Sequence, residues 1–174
     1  MKDADWSLRL ARRTDAPAIP AIERAAAQTF AAVEGLSALA QDEPLTAERC
    51  ERLIARGHSL VAFAGDTMAG FLVNEPFRRE LHVWETGVLP RHQRRGIGSA
   101  LMRACLIDAR NTGFTAVTLT TFRDIAWNAP LYARLGFEEV TALDAHPRLA
   151  GELALEADRG LPVERRCAMI CFLD

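Results

Sequence analysis

Val88-Leu89-Pro90-Arg91-His92-Gln93-Arg94-Arg95-Gly96-Ile97-Gly98-Ser99-Ala100-Leu101 carries most of the information in this chain. An apolar run ends at Leu89, a basic turn with two closely spaced glycines follows, and an amphipathic helix leaves it. The apolar face of that helix is Leu101, Met102, Cys105, Leu106 and Ala109. A helix start presents unpaired N–H groups and the positive end of a dipole. Glycines let a large anion approach the backbone and adopt dihedral angles that other residues resist. Arg94 and Arg95 add positive charge at the mouth. Together these features predict an anion site suited to a pyrophosphate.

Three phosphate-binding patterns compete for the segment. A P-loop needs Gly-Lys-Ser/Thr after its glycines, but Gly98 is followed by Ser99-Ala100. A dinucleotide fingerprint needs a third Gly or Ala three residues after the second Gly, and that position is Leu101. The third pattern, Gln/Arg-x-x-Gly-x-Gly/Ala, is satisfied in full by Gln93 to Gly98.

Outward from this segment, strands and helices alternate. Upstream, residues 6–11 read as a strand. A helix opens at Thr14-Asp15-Ala16-Pro17, with Thr14 or Asp15 as cap and Pro17 in its first turn. After a loop from about Gly35 to Pro44, a second helix runs from about Thr46 to Arg56 and stops at Gly57. Ser59–Ala64 and Met68–Asn74 form a hairpin around Gly65-Asp66-Thr67, the second strand ending at Asn74-Glu75-Pro76. A further strand covers Leu81 to Leu89, and the helix after the basic turn runs from about Gly98 to Asn111. Downstream, 116–121 is a strand, Asn128–Leu135 a short helix stopped by Gly136, and 137–140 a strand. Leu149–Ala157 is a short helix and 167–173 the last strand. This order predicts one α/β domain over 1–174, with a mixed central sheet of about seven strands and flanking helices.

The chain has 174 residues, enough for one domain with a sizeable core. Its 21 Lys and Arg against 23 Asp and Glu leave a net charge of −2, so the basic excess of a general nucleic-acid binder is absent. Cys50, Cys105, Cys167 and Cys171 make no CxxC pair and read as free buried thiols, and the isolated histidines suggest no metal site. The polar N-terminus lacks a secretory h-region, and no apolar run approaches ~20 residues, so a cytoplasmic protein with neither membrane nor nucleic acid as partner is expected.

The segment Val88-Leu89-Pro90, Gln93 to Leu101, together with Asn128-Ala129-Pro130-Leu131-Tyr132-Ala133-Arg134-Leu135-Gly136-Phe137, resembles the GNAT superfamily of acetyl-CoA-dependent N-acetyltransferases. The element order fits nearly the whole chain, more weakly beyond about Ala142. The resemblance implies a GNAT-like fold with a splayed strand pair and acetyl-CoA as acetyl donor. The backbone of Arg94, Arg95, Gly96, Ile97, Gly98 and Ser99 would hold the pyrophosphate. The main chain at Val88 and Leu89 would pair with the pantetheine arm, and Asn128 would hydrogen-bond it. The acceptor would be a primary amine of a small molecule or peptide, attacked directly in a ternary complex. A protein N-terminus or a lysine is an alternative acceptor, and a non-catalytic acyl-CoA sensor an alternative role.

Acetyl transfer needs a neutral amine, a stabilised oxyanion and a proton for the departing thiolate. An alkylamine has a pKa of about 10.4, so a base must take its proton directly or through water. A main-chain N–H near Val88 can polarise the thioester carbonyl. Tyr132, the one tyrosine, stands in the Tyr-x-x-x-Gly-Phe pattern where the family often places the thiolate-protonating acid; it also reads as a core aromatic. Glu85 on the strand before the cradle is the candidate base, with His82 or a water chain as rivals. Glu75 and Arg78-Arg79 sit in a loop that can touch the acceptor and read first as a solvated turn, and Phe30, Glu34 and Leu36 lie near the first interhelix loop, where the family usually shapes its acceptor pocket, or read equally as core or surface. The last strand is a candidate to pair across a homodimer.

Overall fold

A computed structural model describes residues 5–174. Seven strands form a mixed sheet in the order β1-β2-β3-β4-β5-β7-β6. They are β1 (Ser7–Leu10), β2 (Leu60–Ala64), β3 (Thr67–Phe77), β4 (Glu80–Val88), β5 (Ala116–Phe122), β6 (Glu138–Glu139) and β7 (Arg166–Phe172). The helices are α1 (Ile19–Ala27), α2 (Ala47–Ile54), α3 (Ile97–Asn111), α4 (Ala129–Arg134) and α5 (Pro147–Asp158). The chain divides into two compact units. The first includes the described residues through Glu75 and Val83–Asp108; the second includes Pro76–His82 and Ala109–Asp174.

In the first unit β1, β2 and β3 run antiparallel, Leu8 opposite Ala62 and Val61 opposite Phe71, with a register shift at Ala62/Phe63. Apolar residues one helical turn apart, Ile19 and Ile22 of α1 and Cys50, Leu53 and Ile54 of α2, pack with Val61, Phe71 and Val73 into one core. Thr46 caps α2, its hydroxyl accepting from Arg49 N at 3.1 Å.

The expected start of α1 is corrected. Asp15 does not cap that helix; it accepts from Arg12 N at 2.7 Å and from both terminal nitrogens of Arg9 at 2.7 and 2.9 Å. Residues 13–18 therefore form a 3-10 turn containing Pro17, and α1 begins only at Ile19 with Pro20 in its first turn. The expected end of β3 is corrected too. The strand passes through Pro76 to Phe77. Asn74, fully buried, donates its side-chain N–H to His58 O at 2.9 Å, and Trp84 Nε1 donates to Glu75 Oε2 at 2.9 Å. These tethers hold the segment extended although proline forfeits a ladder donor.

In the second unit β7 lies between β5 and β6, antiparallel to both, with Leu119 opposite Met169 and Glu138 opposite Ile170. The expected strand at 137–140 shrinks to Glu138–Glu139. Ala116, Val140, Leu149, Ala168 and Ile170 form its core.

Candidate active site

The cradle is one continuous strand–turn–helix in the first unit. β4 ends at Val88; Leu89 N donates to Ala69 O at 2.8 Å, pinning the turn to β3. Leu89 O accepts from His92 N at 2.8 Å, closing a 3-10 turn over Pro90–His92. Gln93 then reaches back, its Nε2 donating to Val88 O at 3.0 Å. The motif's glutamine thus ties the strand end to the helix start, a role that its spacing did not reveal.

Arg94 and Gly96 both have positive φ, +57° and +83°. For Gly96 this conformation is inexpensive; for Arg94 it costs roughly 1–2 kcal/mol, so the surrounding turn holds it there. Backbone N–H groups in such alternating conformations converge on a common point. The first bond into the helix is Ala100 N to Gly96 O at 2.9 Å. The N–H groups of Ile97, Gly98 and Ser99 therefore have no acceptor within the helix and lie at its positive end. Ile97, 1% exposed, anchors the helix start in the core. A Cβ added at Gly98 would meet only Val88 Cγ2, at 3.8 Å, and one at Gly96 would meet nothing within 4 Å. Packing within the protein does not demand a bare backbone at Gly98; a pyrophosphate lying across the helix start would. Arg94 is exposed at this mouth, and Arg95 pairs there with Asp5.

Two further glycines prepare the strand. A Cβ at Gly70 would lie 2.9 Å from Gly87 O, and one at Gly87 would lie 2.9 Å from Phe71 Cε1. Only glycine permits this approach of β3 and β4 just before the cradle. Both lie inside strand runs, where a glycine is the usual sign of a close backbone approach, a signal absent from the expectations above.

Glu85, also in the first unit, is half-buried on β4, and its Oε1 accepts from Thr86 N at 3.2 Å. His82, its rival, belongs to the second unit and is 1% exposed. Its Nδ1 lies 2.9 Å from Thr118 Oγ1, which accepts from Arg148 Nη2 at 2.8 Å. Burial, and then the Arg148 charge, push the His82 pKa down to about 3. At neutral pH this imidazole is uncharged and a poor proton acceptor.

Asn128 and Tyr132 bracket the start of α4 in the second unit. Asn128 O accepts from Tyr132 N at 3.0 Å, and Asn128 N donates to Ile125 O at 2.9 Å. Asn128 Oδ1 is buried and has no hydrogen-bond partner among the described residues. Such an oxygen costs about 1–3 kcal/mol unless a donor reaches it. An amide N–H, of which a pantetheine arm has two, would satisfy it. Tyr132 is 8% exposed, its ring 5.9 Å from that of Phe137 and tilted by 59°. Gly136, at φ +97°, ends α4 and turns Phe137 back onto it. Glu75 is engaged by Trp84 and by Arg49 Nη2 at 3.1 Å, and Leu36 is core. Among the described residues no cluster of three or more His, Cys, Asp or Glu could hold a metal, and no helix is long and apolar enough to cross a membrane.

Residues 21–137 match the acetyltransferase (GNAT) family. The chain is 31% identical over 158 residues to the N-alpha-acetyltransferase RimI of Mycobacterium tuberculosis, covering 86% of this chain and 97% of that protein. Among solved structures it is similar to the ribosomal-protein-S18-alanine N-acetyltransferase of Escherichia coli, with a TM-score of 0.67 and 19% identity over 97% of this chain and 94% of that one. It is also similar to the PaiA N-acetyltransferase of Thermoplasma acidophilum, crystallised with coenzyme A, with a TM-score of 0.70 and 15% identity over 96% and 98%. The two structural likenesses are likenesses of fold.

Proposed function

The chain belongs to the GNAT family of acetyltransferases, and on that premise we propose that it transfers the acetyl group of acetyl-CoA to a primary amine, the α-amino group of a peptide or protein. The observation that carries the acceptor class is the 31% identity, over nearly the whole of both chains, to an N-alpha-acetyltransferase. The cofactor half is supported by the cradle, with its left-handed Arg94 and Gly96, and by the orphaned Asn128 Oδ1.

Backbone N–H groups from Arg94 to Ser99 hold the pyrophosphate, and the Arg94 and Arg95 side chains offset its charge. The Val88 main chain pairs with the pantetheine arm. Leu89, whose N–H and C=O are both engaged within the protein, contributes its side chain instead. Asn128 Oδ1 accepts from an amide of the arm. When bound, acetyl-CoA supplies an acetyl group activated as a thioester. Glu85 takes the proton of the attacking amine, directly or through water; His82, at about 3, is too weak a base. The N–C bond forms as the C–S bond breaks, and Tyr132 gives the departing sulfur its proton. Holding both substrates together makes a covalent enzyme intermediate unnecessary.

The test is release of free thiol from acetyl-CoA with peptides whose N-termini are free or blocked, alongside lysine derivatives and small amines. Release with free N-termini, abolished by blocking, is expected. Release only with small amines or lysine side chains would overturn the acceptor. Binding of coenzyme A without release from any acceptor would make the protein a sensor.

A further inference from the structure

The second unit contains a cavity of about 730 Å3 that has no part in the acetyl-transfer reading. Small-molecule pockets span roughly 300–1,000 Å3, so the size fits an organic ligand rather than a bare ion. Its walls come from the turn between β3 and β4, with Phe77, Arg78, Arg79 and Glu80, and from the start of α5, with Pro147 and Arg148.

Three arginines line this space against one carboxylate. Glu80 is already taken, its Oε2 accepting from Arg148 Nη2 at 2.8 Å. Arg78 and Arg79 are exposed and have no ion-pair partner among the described residues. The backbone that presents them is fixed: Arg79 O accepts from Thr115 N at 2.7 Å and from Thr115 Oγ1 at 3.1 Å. Arg148 lies 4.6 Å over the Phe77 ring, and its Nη1 is buried with no partner among the described residues. The 12-residue helix α5 starts at the same wall without an acidic residue in its first turn or a side-chain cap. The first bond back to its start is Ala150 N to His146 O at 3.0 Å, which leaves the Arg148 and Leu149 N–H groups without an acceptor inside the helix. Two guanidinium groups with no ion-pair partner among the described residues and an open helix start thus border one apolar-walled space.

We propose that this cavity is a second ligand site for a small organic phosphate, its phosphoryl group held by Arg78 and Arg79 near the start of α5 and its organic part lying against Phe77 and Pro147. A phosphate monoester matches the two free cations with nearly two negative charges, and its three oxygens accept from several directions at once. A carboxylate would satisfy one fork and leave the other cation unmatched.

The test titrates the intact isotope-labelled protein with phenyl phosphate, and with benzyl alcohol as its uncharged counterpart, observing the backbone amides of Arg79, Thr115, Arg148 and Leu149 by NMR. Phenyl phosphate should move these amides to saturation and benzyl alcohol should not. In the double variant R78A/R79A, affinity read at Thr115 and Leu149 should fall about tenfold or more. Coenzyme A should still move the amides of residues 94–99 as in the parent protein. No movement with phenyl phosphate, equal movement with benzyl alcohol, or unchanged affinity in the double variant overturns the proposal. The coenzyme A titration also separates the two sources of such a group. Movement of Thr115 and Leu149 assigns it to the coenzyme's own phosphates, and their silence assigns it to a separate phosphate.

Discussion

Tyr132 occupies a position that a purely structural aromatic would also fill, packed on Phe137 and 8% exposed. Tyr132→Phe keeps that packing and removes only the hydroxyl, so it isolates the proposed acid. Turnover should fall about 100-fold, with acetyl-CoA affinity unchanged by calorimetry; unchanged turnover would return Tyr132 to the core. His82 makes a different prediction. Its pKa of about 3 in the folded protein lies below its ordinary value of 6.5. Between those values the unfolded chain binds the proton and the folded chain does not, so stability rises with pH across the window. The contribution is complete above about 6.5 and is lost as pH falls towards about 3. Urea unfolding of the parent and of His82→Gln, at pH values near the two ends of that window, should show a smaller acid loss in the variant. Equal losses would mean that His82 is not held neutral. His82 was legible as a titratable group three residues before Glu85, but its near-complete desolvation was not. That depends on Thr118 and Arg148, which lie far along the chain.

At the scale of elements, local chemistry is most visible where a helix starts. Thr46 was readable as the start of α2 because a hydroxyl three residues before an N–H is a local arrangement. Thr46→Ala should cost about 1 kcal/mol in chemical denaturation and leave turnover unchanged, because it touches nothing of the cradle. The junction of β3 and β4 is the opposite case. Gly70→Ala would place a methyl group 2.9 Å from Gly87 O and 3.2 Å from Val88 Cγ2. Backbone cannot yield as a flexible side chain can, so the strands must shift. A loss of about 1–3 kcal/mol is expected, with weaker coenzyme A binding because Val88 leads into the turn; a neutral effect on both would remove Gly70 from the description. The start of α1 and the end of β3 also differ from what neighbouring residues suggest. In one case the Arg9–Asp15 pair remade the turn, and in the other tethers from His58 and Trp84 kept Pro76 in a strand.

Over the whole molecule, folding controls the chemistry of the cysteines. Cys50, Cys105 and Cys167 are buried and free, with thiol pKa values pushed up to about 11, 12 and 11, mainly by desolvation. Cys171 is only partly buried. A colorimetric thiol reagent should therefore label Cys171 first in the native protein and reach all four only after denaturation; rapid native labelling of the other three would contradict the burial. What the amino-acid sequence alone determined is what can be written in contiguous runs. The strand–turn–helix at Gln93 to Gly98 depends on turn residues and a helix start within a few positions of one another. The Asn128 to Phe137 segment is likewise local, and the two together pointed to the family. Tertiary structure decided what depends on distant partners. It placed β7 between β5 and β6, closed Gly70 against Gly87, made His82 neutral, left Asn128 Oδ1 without a donor among the described residues, and set Arg78 and Arg79 beside the start of α5. The reason is physical: hydrogen bonds within a turn are set by neighbours in the chain, whereas desolvation and close packing arise only when remote segments displace the water between them.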